Sequence, residues 1–337
     1  MRTPAPSDAA HAAQGTKRVA VMGAGAVGSY FGGMLARAGV PVTMIGRPAF
    51  VEAVRRDKLF LDAIPFHEHV AVEASTDVSA VRDANVVLFC VKMTDREEVA
   101  RAMAPHLAPD AIVVSMQNGV DNAERIRAAS GIDVLPAVVY VSAEMVGAGH
   151  VKHTALGRLV VGELPGHRTG TDWQPPRTEQ ITALFVSADV PCRISEDITA
   201  DLWSKFIGNC GGNAVSAIAQ CSYQAAANNP ASRALMTRIA EEVIAVARAC
   251  GVRPPDANFV EKWMGSLEKF RDAVSSTAQD LARGRRTEIE SLNGYVVRRG
   301  AELGVATPHN FAVYAMVKLL EEKIAGHPQA RPASSSQ

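Results

Sequence analysis

The chain has no surplus of either charge sign: 35 Lys and Arg balance 35 Asp and Glu over 337 residues. That balance removes the electrostatic footprint of a nucleic-acid binder, and no basic face stands out. Cysteine is sparse. Cys90, Cys192, Cys210, Cys221 and Cys250 are scattered, odd in number and never spaced C-x-x-C. This excludes a disulfide frame or a zinc site of that type and predicts reduced thiols in a cytoplasmic protein. No apolar run approaches the roughly 20 residues that span a bilayer, so no membrane partner is expected. Residues 1–16 lack the apolar core of a signal peptide and read as a flexible leader. The Pro/Ser-rich end, 327–337, reads as a flexible tail. No internal repeat is visible, and the dispersed histidines offer no metal site. His150 and His153, three apart on a strand, face opposite sides.

What is present is a 47% hydrophobic chain long enough for two domains. Its most telling stretch is Arg18–Gly28, in which an apolar strand runs into Gly23-Ala24-Gly25-Ala26-Val27-Gly28 and a helix-patterned segment follows. In such a G-x-G-x-x-G turn the first glycine permits the tight bend. The second lets the backbone approach a pyrophosphate, and the third lets helix pack on strand, with the helix N-terminus facing the phosphates. The required context, including a second apolar strand at Pro41–Ile45, predicts a bound dinucleotide. That second strand ends Ile45-Gly46-Arg47-Pro48, without the carboxylate that accepts the 2′-hydroxyl of NAD. Arg47, nineteen residues after Gly28, suits a 2′-phosphate instead, so NADPH/NADP+ is expected over NAD.

Continuous apolar runs at Asn85–Val91, Ala111–Met116 and Leu135–Val141 read as buried parallel strands. Shorter strand candidates lie at Leu59–Leu61 and Val70–Val72, and a helix near Ala49–Arg56. Their alternation with helical segments predicts an α/β fold whose N-terminal domain is a Rossmann-type doubly wound sheet. Lys92 and Asn118 fall at carboxyl ends of its strands, where ligands sit. His150–Glu163 reads as a hairpin, 165–176 as a Gly/Pro loop, Glu179–Ser187 as a helix and Cys192–Ile194 as a short strand. From Ile198 onward helical periodicity dominates, through Met236–Ala249, Phe259–Leu267, Glu288–Val297 and Ala312–Ile324. The expected organisation is a dinucleotide domain over 17–197 and an all-helical C-terminal domain over 198–326. The apolar faces of its helices point to a homodimer. Glu241-Glu242 reads as a solvated face.

Lys205, Asn209 and Asn213 follow i, i+4, i+8 and share one helix face beside Leu202, Phe206 and Ile207. Such a stripe is either a solvated face or one ammonium and two amides presented to a ligand. Residues 275–290, Ser-Ser-Thr-Ala-Gln-Asp through Thr-Glu-Ile-Glu, read by themselves as a solvated loop with a helix start.

The glycine run, the Lys-x-x-x-Asn-x-x-x-Asn helix and the Ser-Ser…Gln-Asp…Gly-Arg…Thr-Glu-Ile segment occur together, in this order. In that combination the chain resembles the ketopantoate reductase (2-dehydropantoate 2-reductase) family over about residues 17–325. The resemblance implies NADPH-dependent reduction of a 2-keto acid, ketopantoate to pantoate, within pantothenate biosynthesis. It implies Lys205 as the general acid and Glu288 as a catalytic carboxylate contacting the substrate hydroxyl. It also implies Ser276 on the substrate carboxylate, Asn209 and Asn213 lining the substrate site, and Asn118 beside nicotinamide and substrate. Arg47 and Lys92 would meet the 2′-phosphate side of the cofactor. One departure is Ala214, where the family commonly has proline after the second asparagine; with Gly211-Gly212 before it, a wider pocket for a bulkier 2-keto acid is expected. The alternatives are therefore a related reductase of another 2-keto acid and, from a different class, a dinucleotide-binding sensor without turnover.

Overall fold

The computed structural model describes residues 17–166, 175–253, 255–268 and 273–326. The expected leader, most of the 165–176 loop and the tail lie outside the described residues. The chain divides into two compact units, one ending at Ile198 and one beginning at Thr199.

The first unit is a ten-stranded mixed sheet with strands β1 (Val19–Met22), β2 (Val42–Ile45), β3 (Leu59–Ala63), β4 (Phe66–Val70), β5 (Glu73–Ser75), β6 (Val86–Phe89), β7 (Ile112–Ser115), β8 (Leu135–Gly147), β9 (His150–Val161) and β10 (Cys192–Ile194). The order is β4-β3-β9-β8-β7-β6-β1-β2-β5, with β10 on β9. The run β8-β7-β6-β1-β2-β5 is parallel throughout. Its helices are α1 (Ala26–Arg37), α2 (Pro48–Asp57), α3 (Arg96–Met103), α4 (Asn122–Ser130) and α5 (Arg177–Val186). Strand alternation divides the core in two. Val19 and Val21 point to the side holding Tyr30, Phe31 and Leu35 of α1 and Phe185 of α5. Ala20 and Met22 point to the side holding Ala100 and Met103 of α3 and Ile126 of α4. Burial on both faces is why these strands read as unbroken apolar runs.

Two local expectations fail in the first unit. His150–Val161 is one strand, and the hairpin is β8–β9, antiparallel, turning at Ala148-Gly149. Ala155 of β9, the only residue between the two expected hairpin strands, pairs with Ser142 of β8, and a bulge follows it: Leu156 has φ +63° and Gly157 φ +115°. The two positive-φ residues shift the β8–β9 register and bring the β9 backbone against Tyr30 of α1. Val70–Val72 is likewise not a strand; it spans the end of β4 and the break before β5. Any Cβ on Gly157 would overlap the Tyr30 hydroxyl. Gly157→Ala is therefore expected to cost about 1–3 kcal/mol, read as a lower denaturant midpoint.

Among the described residues the second unit contains α6 (Ile198–Ala219), α7 (Tyr223–Asn228), α8 (Pro230–Ala249), α9 (Phe259–Leu267), α10 (Ser276–Ala282), α11 (Asn293–Leu303) and α12 (Pro308–Gly326), with a 3-10 turn at Ile289–Ser291 before α11. The core side of α6 carries Trp203 and Phe206, which meet each other edge-on at 5.5 Å and Tyr295 of α11 at 6.3 and 5.7 Å. Glu242 is not solvated, unlike its neighbour Glu241. Its carboxylate accepts the backbone N–H groups of His309 and Asn310 at 3.0 and 2.9 Å and so caps α12. Periodicity on α8 hid this because the partner lies 67 residues away. No helix among the described residues is long and apolar enough to cross a membrane.

Candidate active site

In the first unit the loops after β1, β2, β6 and β7 are tied together. The N–H groups of Gly23 and Ala24 both donate to Ile45 O at 3.1 Å, fixing the glycine turn to the end of β2. Gly23 has φ +102°, and a Cβ there would stand 2.8 Å from Val91 N. A Cβ on Gly28 would overlap Gly23 O and lie 2.8 Å from Val21 Cγ1. Gly25 differs: it is exposed, and nothing lies within 4 Å of its missing Cβ. Gly25 is also the N-cap of α1, whose first turn, starting Ala26-Val27-Gly28, has neither a side-chain cap nor an acidic residue. Two glycines are thus required by the fold, while the third leaves an open face before uncapped helix N–H groups. That is the surface a pyrophosphate needs.

Arg47 is exposed at the N-cap of α2, one residue beyond Gly46, whose own Cβ would come 2.9 Å from Ala24 Cβ. The Arg47 backbone is therefore rooted beside the glycine turn. Lys92 is exposed in the loop after β6. Asn118 follows β7, its carbonyl accepting from Asn122 Nδ2 at 2.6 Å. Sequence reading missed what holds this loop. Buried Arg96 donates to Asn122 Oδ1 at 2.6 Å and to the Asp121 carboxylate at 2.9 and 3.2 Å. Gln117 Nε2 donates to Val91 O at 2.9 Å, joining the β6 and β7 loops. An arginine in an otherwise polar helix start gives no hint in sequence that it is 1% exposed.

In the second unit Lys205 and Asn209 are half-buried on one face of α6, and Asn213 is buried on the same face. Desolvation lowers the Lys205 pKa to about 8, against the Glu288 carboxylate, which raises it. Lys205 and Glu288, 83 residues apart in sequence, are thereby brought within electrostatic reach. Glu288 is set by its neighbour: the Thr287 N–H and hydroxyl both donate to Glu321 Oε1 at 2.7 Å, anchoring the segment to α12. The Ser-Ser pair has divided roles. Ser275 is buried, caps α10 by accepting from Ala278 N at 3.0 Å, and donates its hydroxyl to Asn213 O at 3.0 Å. Ser276 beside it is exposed. Asn213 Oδ1 accepts the Tyr223 hydroxyl at 2.8 Å.

Among the described residues, Gly211-Gly212 and Ala214 leave no widened pocket. A Cβ at Gly211 would overlap the Trp263 indole, and one at Gly212 would stand 3.1 Å from the Tyr223 ring. Ala214 is fully buried. The space left by the glycines is filled by two aromatic rings supplied from other helices, which spacing along α6 cannot show.

The chain matches two family models: ketopantoate reductase PanE/ApbA over residues 19–166 and its C-terminal model over 197–321. It is 32% identical over 304 residues to the 2-dehydropantoate 2-reductase of Pyrobaculum aerophilum, covering 89% of this chain and 97% of that one. The crystal structure of a PanE/ApbA family ketopantoate reductase from Ralstonia eutropha JMP134 superposes with TM-score 0.84 at 45% identity, covering 91% of this chain and 99% of that chain. A D-mandelate dehydrogenase solved with NADH and anilino(oxo)acetate shares the fold, at TM-score 0.82 and 21% identity, over 91% of this chain and 99% of its own. With the glycine cradle and the Lys205–Glu288 pair in place, these likenesses establish that the chain belongs to the ketopantoate reductase family, oxidoreductases that act on a ketone with a nicotinamide dinucleotide.

Proposed function

We propose that the protein reduces ketopantoate to pantoate with NADPH, in the cytoplasm, as a step toward pantothenate. The observation that carries this reading is Lys205, a lysine with its pKa lowered to about 8 next to a carboxylate and in line with an amide stripe. A general acid works best with a pKa near the operating pH, and burial supplies that tuning here.

When bound, the reduced nicotinamide supplies the hydride that attacks the C2 carbonyl carbon. The glycine cradle would hold the pyrophosphate, and Arg47 with Lys92 the 2′-phosphate. As negative charge grows on the ketone oxygen, the Lys205 ammonium stabilises it and then delivers a proton from Nζ, completing the 2-hydroxy acid. Glu288 contacts the substrate hydroxyl and keeps Lys205 charged. Ser276 meets the substrate carboxylate, Asn209 and Asn213 orient the substrate, and Asn118 positions it by the nicotinamide. The domain assignment, 17–197 for the dinucleotide and 198–326 for substrate and catalysis, follows from these roles. A homodimer is part of the reading. The D-mandelate dehydrogenase likeness shows that this fold by itself does not select the 2-keto acid, so the substrate choice rests on the side chains.

The cofactor half of the reading is tested at Arg47. Arg47→Ala is expected to weaken NADPH binding about 10- to 100-fold, the worth of one or two charge-assisted hydrogen bonds, and to leave NADH binding within twofold. Fluorescence titration of both cofactors checks this. Equal losses for both would remove Arg47 from 2′-phosphate recognition.

A further inference from the structure

One aromatic residue, half-buried Trp263 of α9, has no part in the scheme above, yet it packs directly on α6. Its indole lies along three glycines. The Cβ positions of Gly208 and Gly212 lie 3.1 and 3.6 Å from Nε1 and Cζ2, and that of Gly211 would overlap Cη2. No side chain larger than hydrogen fits beneath the ring at Gly211.

Successive residues turn about 100° around a helix, so Gly208 and Gly212 fall roughly 20–60° to one side of Lys205, and Asn209 and Asn213 roughly 40–80° to the other. The Phe206 and Trp203 core face lies beyond the asparagines. The polar stripe is therefore bordered by core on one side and by the Trp263 indole on the other. Tyr223 joins the second wall over Gly212, and its hydroxyl fixes Asn213 at 2.8 Å.

We propose that Trp263 is a specificity-determining residue: its indole is the apolar wall against which the C3 substituent of the 2-keto acid packs while the carbonyl faces Lys205. This rests on the reductase reading above. The site then prefers 2-keto acids branched at C3 over unbranched ones, because only the former cover the ring. One or two methyl groups in such a contact are worth about 10- to 200-fold.

The test compares kcat/KM for ketopantoate, 3-methyl-2-oxobutanoate and pyruvate in the wild type, Trp263→Ala, Trp263→Phe and Gly211→Ala. Trp263→Ala is expected to lower the ratio of ketopantoate to pyruvate about tenfold or more, through KM for the branched substrates. Trp263→Phe should fall between it and the wild type. Gly211→Ala, which leaves the indole intact but displaces it, should move the ratio in the same direction. NADPH affinity should stay within twofold in all. Ratios unchanged within twofold, even with every rate reduced, would overturn the proposal. If Trp263→Ala does not fold, the ratios of the Phe and Gly211 variants decide it by the same criterion. A wild type that binds NADPH but reduces none of the three acids overturns the reductase reading and this inference with it; a wild type that reduces them with unmoved variant ratios overturns this inference alone.

Discussion

Lys205→Met is expected to lower kcat by about 10²–10⁴-fold with NADPH affinity unchanged. The ammonium acts only where charge develops on the carbonyl oxygen, so its removal takes away transition-state stabilisation rather than cofactor binding. The same lysine sets a pH dependence. Because its pKa lies near 8, kcat/KM should fall as pH rises through that value, and the variant should lose that limb. Stability moves the opposite way. The folded state releases the Lys205 proton near 8 and the unfolded chain near 10.5. Between those values the unfolded state binds more protons, so this site adds stability as pH rises across that window. Below pH 8 the buried ammonium costs about 3 kcal/mol. The methionine variant should therefore melt no lower than the wild type at pH 7, an advantage that fades toward pH 10.5. A variant that loses both activity and melting temperature at pH 7 would point to a structural role.

Gly25→Val should leave the fold intact and remove the cofactor. The position is exposed with φ −81°, and nothing lies within 4 Å of its missing Cβ. Stability should change by no more than about 0.5 kcal/mol. The new side chain would occupy the approach to the uncapped N-terminus of α1, displacing the pyrophosphate from two or more charge-assisted hydrogen bonds. NADPH affinity should fall by roughly 10²-fold or more. Gly28→Ala makes the control, since its Cβ would overlap Gly23 O; there stability and affinity should fall together. Thermal melts beside NADPH titrations separate the two outcomes. Loss of stability in Gly25→Val would show that this glycine is structural like its neighbours.

The parallel strands were legible because both faces of the sheet are buried, so apolar runs such as Asn85–Val91 stand out without periodicity. The glycine turn was legible because sterics around a strand–turn–helix leave few solutions. Legibility failed wherever meaning depended on a distant partner. Gly211-Gly212 looked like vacant space because Trp263, which fills it, arrives from another helix 52 residues later. Glu242 looked solvated because α12, which it caps, follows 67 residues on. His150–Glu163 looked like a hairpin because the bulge at Leu156-Gly157 interrupts the strand pattern, and only the β8 register shows one continuous strand. Arg96 was invisible, since an arginine at a helix start is ordinarily solvated, and its burial shows only with Asp121 and Asn122 in place. At the site, spacing alone put Lys205, Asn209 and Asn213 on one face; Glu288 entered only through the family resemblance, and its electrostatic reach to Lys205 needed the fold.

The most direct test is the pH–rate profile of NADPH oxidation with ketopantoate, from pH 6 to 10, for the wild type and Lys205→Met side by side. Wild-type kcat/KM should decline above about pH 8, and the variant should be slower by about 10²-fold or more with a profile that lacks that decline. A variant that keeps the wild-type rate and the same limb would contradict Lys205 as the proton donor.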